Sequence, residues 1–226
     1  MSPRRSNSPK KPRGVIVWDF DGVLFDIERF RKNAEHIFEK YGVPPAVFQA
    51  AILRIRKEGG QFSVARSFRI MRSLGASVKE KTIRKALHNH LALTRYFAAP
   101  TDIFLRRLRN LGFMHIILSL GAPSYQHKKI RVGCGKKFIR HFAKISTTRK
   151  PKFIYLKKLA RKYPHTTIFF IDDTEENIQL VQKHVPEIVT VHYSNISGVS
   201  LKNLERVGEG NTIACQKIKK KDPKSS

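Results

Sequence analysis

Two textures of apolar and polar residues divide this chain. Four apolar residues, Val15 to Trp18, run together and stop at Asp19, the pattern of a short buried strand. From Ile27 to about Tyr41 the apolar positions are Phe30, Ala34, Ile37, Phe38 and Tyr41. Steps of three and four lay them along one face of a helix, and Gly42 supplies a stop. Helical periodicity returns at about Ala46 to Arg56, Val64 to Leu74 and Lys79 to Leu93, with no strand pattern before about Ala99.

After Pro100 the texture changes. Thr101 can cap a helix that ends at Leu111, with Gly112 beyond it. Strand patterns follow at Phe113 to Leu118, Phe142 to Ile145, Thr167 to Ile171 and Ile188 to His192. Helical stretches at Ser124 to Val132, Lys152 to Tyr163 and Thr174 to His184 separate them. Strands alternating with helices predict an α/β fold, a Rossmann-like parallel sheet with crossover helices. The helical block interrupts this alternation after its first strand. The expected organisation is therefore a core of residues 15–26 and 100–200, with an inserted all-helical domain at 27–99. No internal repeat is visible.

The ends carry no core-forming pattern. Residues 1–14 contain Pro, Ser and basic residues almost alone and read as a disordered basic tail; residues 201–226 form an extension ending in a second basic tail. Across 226 residues, 45 Lys and Arg stand against 17 Asp and Glu, a net charge of +28. Such a field attracts anionic substrates and polyanions without specifying one. Contact with nucleic acid or a ribonucleoprotein through the basic surface and tails is one reading of it; a basic bias without function is the other. No apolar run is long enough for a membrane helix, and none near the start has the form of a secretory signal. Two cysteines, Cys134 and Cys215, make neither a disulfide framework nor a paired metal spacing. A cytoplasmic setting is expected. His88 and His90, in a helical pattern two residues apart, point to different sides and are not read as a metal pair.

In a parallel sheet, ligands sit outside the carboxyl ends of the strands. The first strand delivers Asp19 and Asp21 there, the Phe113 strand Ser119, and the Thr167 strand Asp172 and Asp173. Lys150 stands ahead of the helix between the last two. Clustered carboxylates repel one another unless a divalent cation or protonation relieves them, and all-oxygen ligation suits Mg²⁺. A phosphate brought to that cation would meet Lys150 and Ser119. A carboxylate beside a phosphoryl group can attack it, and a second can carry the proton.

Four segments in order, "DFDGVLFD", "IILSLG", "RKPKFIYLKKLA" and "IFFIDDTEENI", resemble the four motifs of the haloacid dehalogenase-like hydrolase superfamily. The resemblance extends from Val15 to about His192, with a helical C1-type cap after the first motif. It implies a Mg²⁺-dependent phosphatase acting on a small phosphomonoester. Asp19 would be the nucleophile and a metal ligand. Asp21 would be the general acid/base, with its backbone carbonyl on the metal. Gly22 would let the backbone close around the phosphate. Ser119 and the lysine before proline, Lys150, would bind phosphoryl oxygens, with Lys152 the alternative lysine. Asp172 and Asp173 would complete the metal site. Asp26 would open the hinge into the cap without a catalytic role. Leu120 departs from the small or polar residue common after the motif serine. In such a cap, Arg56, Gly59 and Gly60 of "RIRKEGGQF" are candidates for substrate specificity. The presence of Asp21 favours phosphate chemistry, because the dehalogenases usually lack it. A phosphomutase using the same intermediate, and a catalytically weak relative that binds nucleic acid, remain alternatives. Oligomeric state is not fixed by any of these features.

Overall fold

The computed structural model of the chain describes residues 11–58, 63–97 and 100–193, apart from the side chains of Arg56 and Pro100. Gly59, Gly60 and the expected tails up to residue 10 and beyond residue 200 lie outside those residues. Strands β1 (Gly14–Trp18), β2 (Phe113–Leu120), β3 (Phe142–Thr148), β4 (Thr167–Asp172) and β5 (Val189–His192) form one parallel sheet in the order β3-β2-β1-β4-β5. The first strand is thus central. The chain builds outward from it to β3, then crosses back to build outward on the other side. That reversal between β1 and β4 leaves a crevice at the strands' carboxyl ends, where ligands bind in open α/β sheets.

Helices α1 (Ile27–Lys40), α2 (Pro45–Lys57), α3 (Val64–Ser73) and α4 (Glu80–Leu93) follow β1 and form the helical block. Helix α5 (Pro100–Asn110) leads into β2, α6 (Pro123–Ile139) into β3, α7 (Lys152–Lys162) into β4 and α8 (Glu175–His184) into β5. Alternation along the strands fills two layers. Ile16, Trp18, Ile117 and Ile171 pack on one face with Leu105 and Leu108 of α5 and Ile130 of α6. Val15, Val17, Leu118 and Phe170 pack on the other with Leu156 of α7 and Val181 of α8. A buried strand with both faces covered reads as a continuous apolar run, which is why "VIVW" carries no alternation. The block has a core of its own around Phe38, Phe48, Phe68, Met71 and Ile83. Phe20, Phe25, Phe30 and Tyr96 pack ring against ring along its seam with the sheet domain.

Some boundaries differ from the sequence reading. The ordered chain reaches further back than Val15: Gly14 starts β1, and the Arg13 N–H donates to the Gly112 carbonyl at 3.0 Å. Helix α6 continues past Val132 to Ile139 through a kink at Gly135, and the glycines at 133 and 135 hide that continuation from periodicity. Asp26 does open the block: its side chain accepts from the Arg29 N–H at 3.0 Å and caps α1. Its own N–H donates to the Tyr96 carbonyl at 2.9 Å, so the segments entering and leaving the block lie side by side. Of the two histidines, His88 is exposed and His90 meets the Tyr96 hydroxyl at 2.6 Å. No helix of the described residues is long and apolar enough to cross a membrane.

Candidate active site

The register of the sheet brings the site together. Trp18 pairs with Ile117 on β2 and Ile171 on β4, so the residues beyond those pairs emerge side by side. They are Asp19, the Ser119 end of β2, and Asp172. The Asp19 N–H continues the ladder to the Ile171 carbonyl at 2.8 Å. Asp19, Asp172 and Ser119 are all buried. Asp173 follows at the exposed rim. Asp19, Asp172 and Asp173 each offer an oxygen within 4.8 Å of the others.

The cluster is electrostatically strained, and its ordering shows how. Burial pushes the Asp19 carboxyl up to about 7; Lys152 opposes the shift and the Asp172 carboxylate adds to it. Burial and Asp172 also raise Asp173 above the usual carboxylate range. Asp172 itself is thoroughly satisfied. It accepts from Lys152 Nζ at 2.6 Å, from the Thr174 N–H at 2.9 Å, and from Asn177 Nδ2 at 3.1 Å. A hard divalent cation is the group such a set of oxygen donors fits, and it would relieve the raised Asp19 and Asp173. Asp19, Asp172 and Asp173 would hold it.

Lys152, not Lys150, is the lysine of the site. Its Nζ lies 2.8 Å from Asp19 and 2.6 Å from Asp172, and its side chain is only 2% exposed. Burial alone would lower the ammonium, but Asp19 and Asp172 more than offset it and hold it above its ordinary value. The expectation for Lys150 is corrected by a local turn. Thr148 Oγ1 accepts from the Lys150 N–H and donates to the Lys150 carbonyl, both at 3.0 Å, which leaves the Lys150 side chain exposed. Pro151 then starts the helix, and Lys152 enters it as the first residue with its side chain under the strand ends.

Asp21 stands apart from the three carboxylates. Lys129 Nζ lies 2.5 Å from both of its oxygens, and Gln126 Nε2 donates to it at 3.1 Å. Both partners project from α6, three residues apart on one face. The Lys129 ammonium also lies 5.5 Å from the ring centroids of Phe20, Phe25 and Tyr125, a setting that stabilises a desolvated cation. Lys129, Gln126 and Asn177 escape a sequence reading. The only signal for Lys129 is a lysine beside Ile130 on the buried side of its helix, and that side is unknown until the helix is packed.

Gly22 has a more specific job than closing around an anion. Its φ is +83°, and a Cβ there would stand 2.0 Å from Oδ2 of Asp173. The missing side chain is the space in which the Asp173 carboxylate sits. Of the basic residues in the helical block, Arg54 and Arg66 are tied to Glu58, and Arg72 and Arg84 to Glu80. These exposed pairs hold both glutamates below their usual range, and they leave the block's surface less cationic than its arginines imply.

No family model and no curated protein sequence matches the chain. Solved structures do. A haloacid dehalogenase-like hydrolase from Burkholderia xenovorans superposes with a TM-score of 0.63 at 17% identity, over 80% of this chain and 84% of that one. A HAD family enzyme from Bacteroides thetaiotaomicron, in complex with magnesium and inorganic phosphate, gives 0.54 at 21% identity, over 84% and 98%. The L-2-haloacid dehalogenase from Xanthobacter autotrophicus, with chloropropionic acid covalently bound, gives 0.52 at 14% identity, over 88% and 84%. At these identities the likeness is one of fold: the chain has the α/β fold of haloacid dehalogenase-like hydrolases.

Proposed function

We propose that the chain is a Mg²⁺-dependent phosphatase that hydrolyses a small phosphomonoester through an aspartyl-phosphate on Asp19. The observation that carries this reading is the convergence of Asp19, Asp172 and Asp173 within 4.8 Å beside the Lys152 ammonium. That is a cationic and carboxylate frame into which a phosphoryl group fits.

A carboxylate oxygen of Asp19 forms a bond to phosphorus as the bond from phosphorus to the ester oxygen breaks. Asp21 supplies a proton to that oxygen, and the alcohol leaves. Asp21, now the base, takes a proton from water as the water attacks phosphorus. Inorganic phosphate departs and Asp19 is restored. Lys152 holds the attacking oxygen of Asp19 in place and balances charge as it moves onto the phosphoryl oxygens. Ser119, at the end of β2, donates to those oxygens. Bound Mg²⁺, with the Asp21 backbone carbonyl as a further ligand, would supply charge neutralisation at the phosphoryl group.

Dehalogenases share the fold, but a departing halide needs no proton. Asp21, set two residues beyond Asp19 and steadied by Lys129 and Gln126, has a task in ester cleavage and none in halide displacement. The helical block would act as a cap over the strand ends. The surplus of basic residues would raise the local concentration of an anionic substrate; polyanion contact through the tails remains part of this proposal.

Asp19→Asn tests the reading. The variant keeps its melting behaviour and loses Mg²⁺-dependent release of inorganic phosphate. Turnover at the wild-type rate would overturn it, and recovery of an isomeric ester in place of inorganic phosphate would indicate a mutase.

A further inference from the structure

A cavity of about 260 Å³ runs from Asp21 into the helical block. At its Asp21 end stand Lys129, Gln126 and Tyr125 of α6. The rest of its wall comes from the block, and it is apolar: Phe30 and Ala34 of α1, Phe48 and Ile52 of α2, Val64 of α3 and Leu87 of α4 are among the residues that form it. Among the block's residues on this wall, Arg31 is the single side chain able to hydrogen-bond, and it is already paired with Glu28.

We infer that the chamber receives the alcohol part of the substrate, and that this part is an apolar aryl or branched alkyl group. The inference rests on the phosphatase reading of the preceding subsection. The link is Asp21. A general acid must touch the oxygen that bridges phosphorus and the leaving alcohol, so whatever lies beyond Asp21, away from Asp19, is occupied by the alcohol's carbon skeleton. Beyond Asp21 and its α6 neighbours the wall is hydrocarbon apart from Arg31. A sugar or ribose reaching into the block would surrender its hydration to a wall on which its hydroxyls find only Arg31, already paired with Glu28. An aromatic or branched alkyl group would gain by leaving water. The volume lies just under the range of small-molecule pockets, which begins at about 300 Å³, so a single ring or a short branched chain is the size it takes. The same wall bears on the phosphate end. Tyr125, beside Asp21, is held neutral by burial and by the Asp21 charge, so it presents a phenol and an aromatic face rather than a second anion.

The test compares substrates with Mg²⁺ present. Acetyl phosphate, whose leaving group barely enters the chamber, reports phosphoryl chemistry alone. Phenyl phosphate and isopentyl phosphate are then set against glucose 6-phosphate and adenosine monophosphate. The expected result is a kcat/KM at least tenfold higher for the two apolar esters than for the two hydroxylated ones. Ala34→Leu, which adds three carbons inside the chamber, reduces that preference several-fold in a protein whose melting temperature shows it folded. Equal or reversed preference in the wild type, with acetyl phosphate hydrolysed, overturns the inference and leaves the phosphatase reading standing. If no phosphate compound is turned over, the phosphatase reading fails, and calorimetric titration of the Asp19→Asn variant decides the chamber separately. Tighter binding of phenyl phosphate than of glucose 6-phosphate supports it, and equal or weaker binding rules it out.

Discussion

Lys129 and Asp21 form an ion pair in which the ammonium lies 2.5 Å from both carboxylate oxygens, on a lysine that is only 3% exposed. The pair fixes the rotamer of Asp21. In the proposed reaction, a carboxylate pinned in this way is held ready for the ester oxygen. Replacing Lys129 with Met removes the donor while keeping most of the side chain's packing against Phe20 and Phe25. The expected loss in kcat is about 10²-fold, within the range of general acid–base contributions. KM should change little. Lys129→Arg should recover part of the rate. Unchanged kcat in Lys129→Met would remove Lys129 from the proton path.

The assignment of Lys152 over Lys150 separates two adjacent lysines cleanly. Lys152→Met strips a buried ammonium from Asp19 and Asp172 and leaves two carboxylates facing each other. Breaking a buried pair costs about 3–5 kcal/mol, and turnover should disappear. Lys150→Met alters an exposed side chain and should stay within about 0.5 kcal/mol of the wild type, with turnover retained. Denaturant titration and a phosphate-release assay on both variants check this. Equal effects of the two substitutions would return the site lysine to an open choice.

The Lys150 error shows where the chain's own pattern stops being informative. The strand and helix order could be read because apolar runs and steps of three to four are local properties, and "VIVW" and "TIFFI" both run straight into the acids of the candidate site. The convergence of Asp19, Ser119 and Asp172 followed from sheet logic alone. "RKPK" contains a lysine on each side of one proline, and only the Thr148 turn decides which one faces inward. Lys129 and Gln126 were hidden for a related reason. They act on Asp21 across more than a hundred residues of chain, and although the helix that carries them is legible, the side of it that packs inward is not. The chamber beyond Asp21 could not be read either, since its wall is assembled from five helices far apart in the chain.

Proton and metal should compete at the strand ends. Burial holds the Asp19 carboxyl up at about 7, against 3.8 for the free side chain, so the folded chain retains a proton that the unfolded chain has lost. In the absence of metal, Asp19 therefore contributes less stability as pH rises from about 4 through 7. Mg²⁺ must displace that proton, so its affinity should rise with pH up to about 7 and level off above it, falling up to about tenfold per unit below. Calorimetric titrations at pH 6 and pH 8 should show clearly tighter binding at pH 8, with proton release at pH 6. At pH 8, Mg²⁺ at a hundred times its Kd adds about 2.7 kcal/mol. For a chain of this size that raises the melting temperature by about 5–10 °C. Identical affinity at both pH values would mean that Asp19 is not the proton-bearing ligand.

Gly22 and Gly75 offer a matched pair for dissecting the metal site. Their φ values are +83° and +84°, so alanine at either pays the same backbone penalty, about 1–2 kcal/mol. At Gly75 a Cβ meets nothing within 4 Å. At Gly22 it would stand 2.0 Å from Oδ2 and 2.6 Å from Cγ of Asp173, so the carboxylate must move. Gly75→Ala should therefore lose only the backbone term and bind Mg²⁺ as the wild type does. Gly22→Ala should lose that much or more and bind Mg²⁺ at least tenfold more weakly, because one of the three converging oxygens has been pushed away. The two variants are compared by thermal unfolding and by calorimetric titration at pH 8. Equal Mg²⁺ affinity in both would show that Asp173 contributes nothing to the cation's hold, and would leave Asp19 and Asp172 as the ligands.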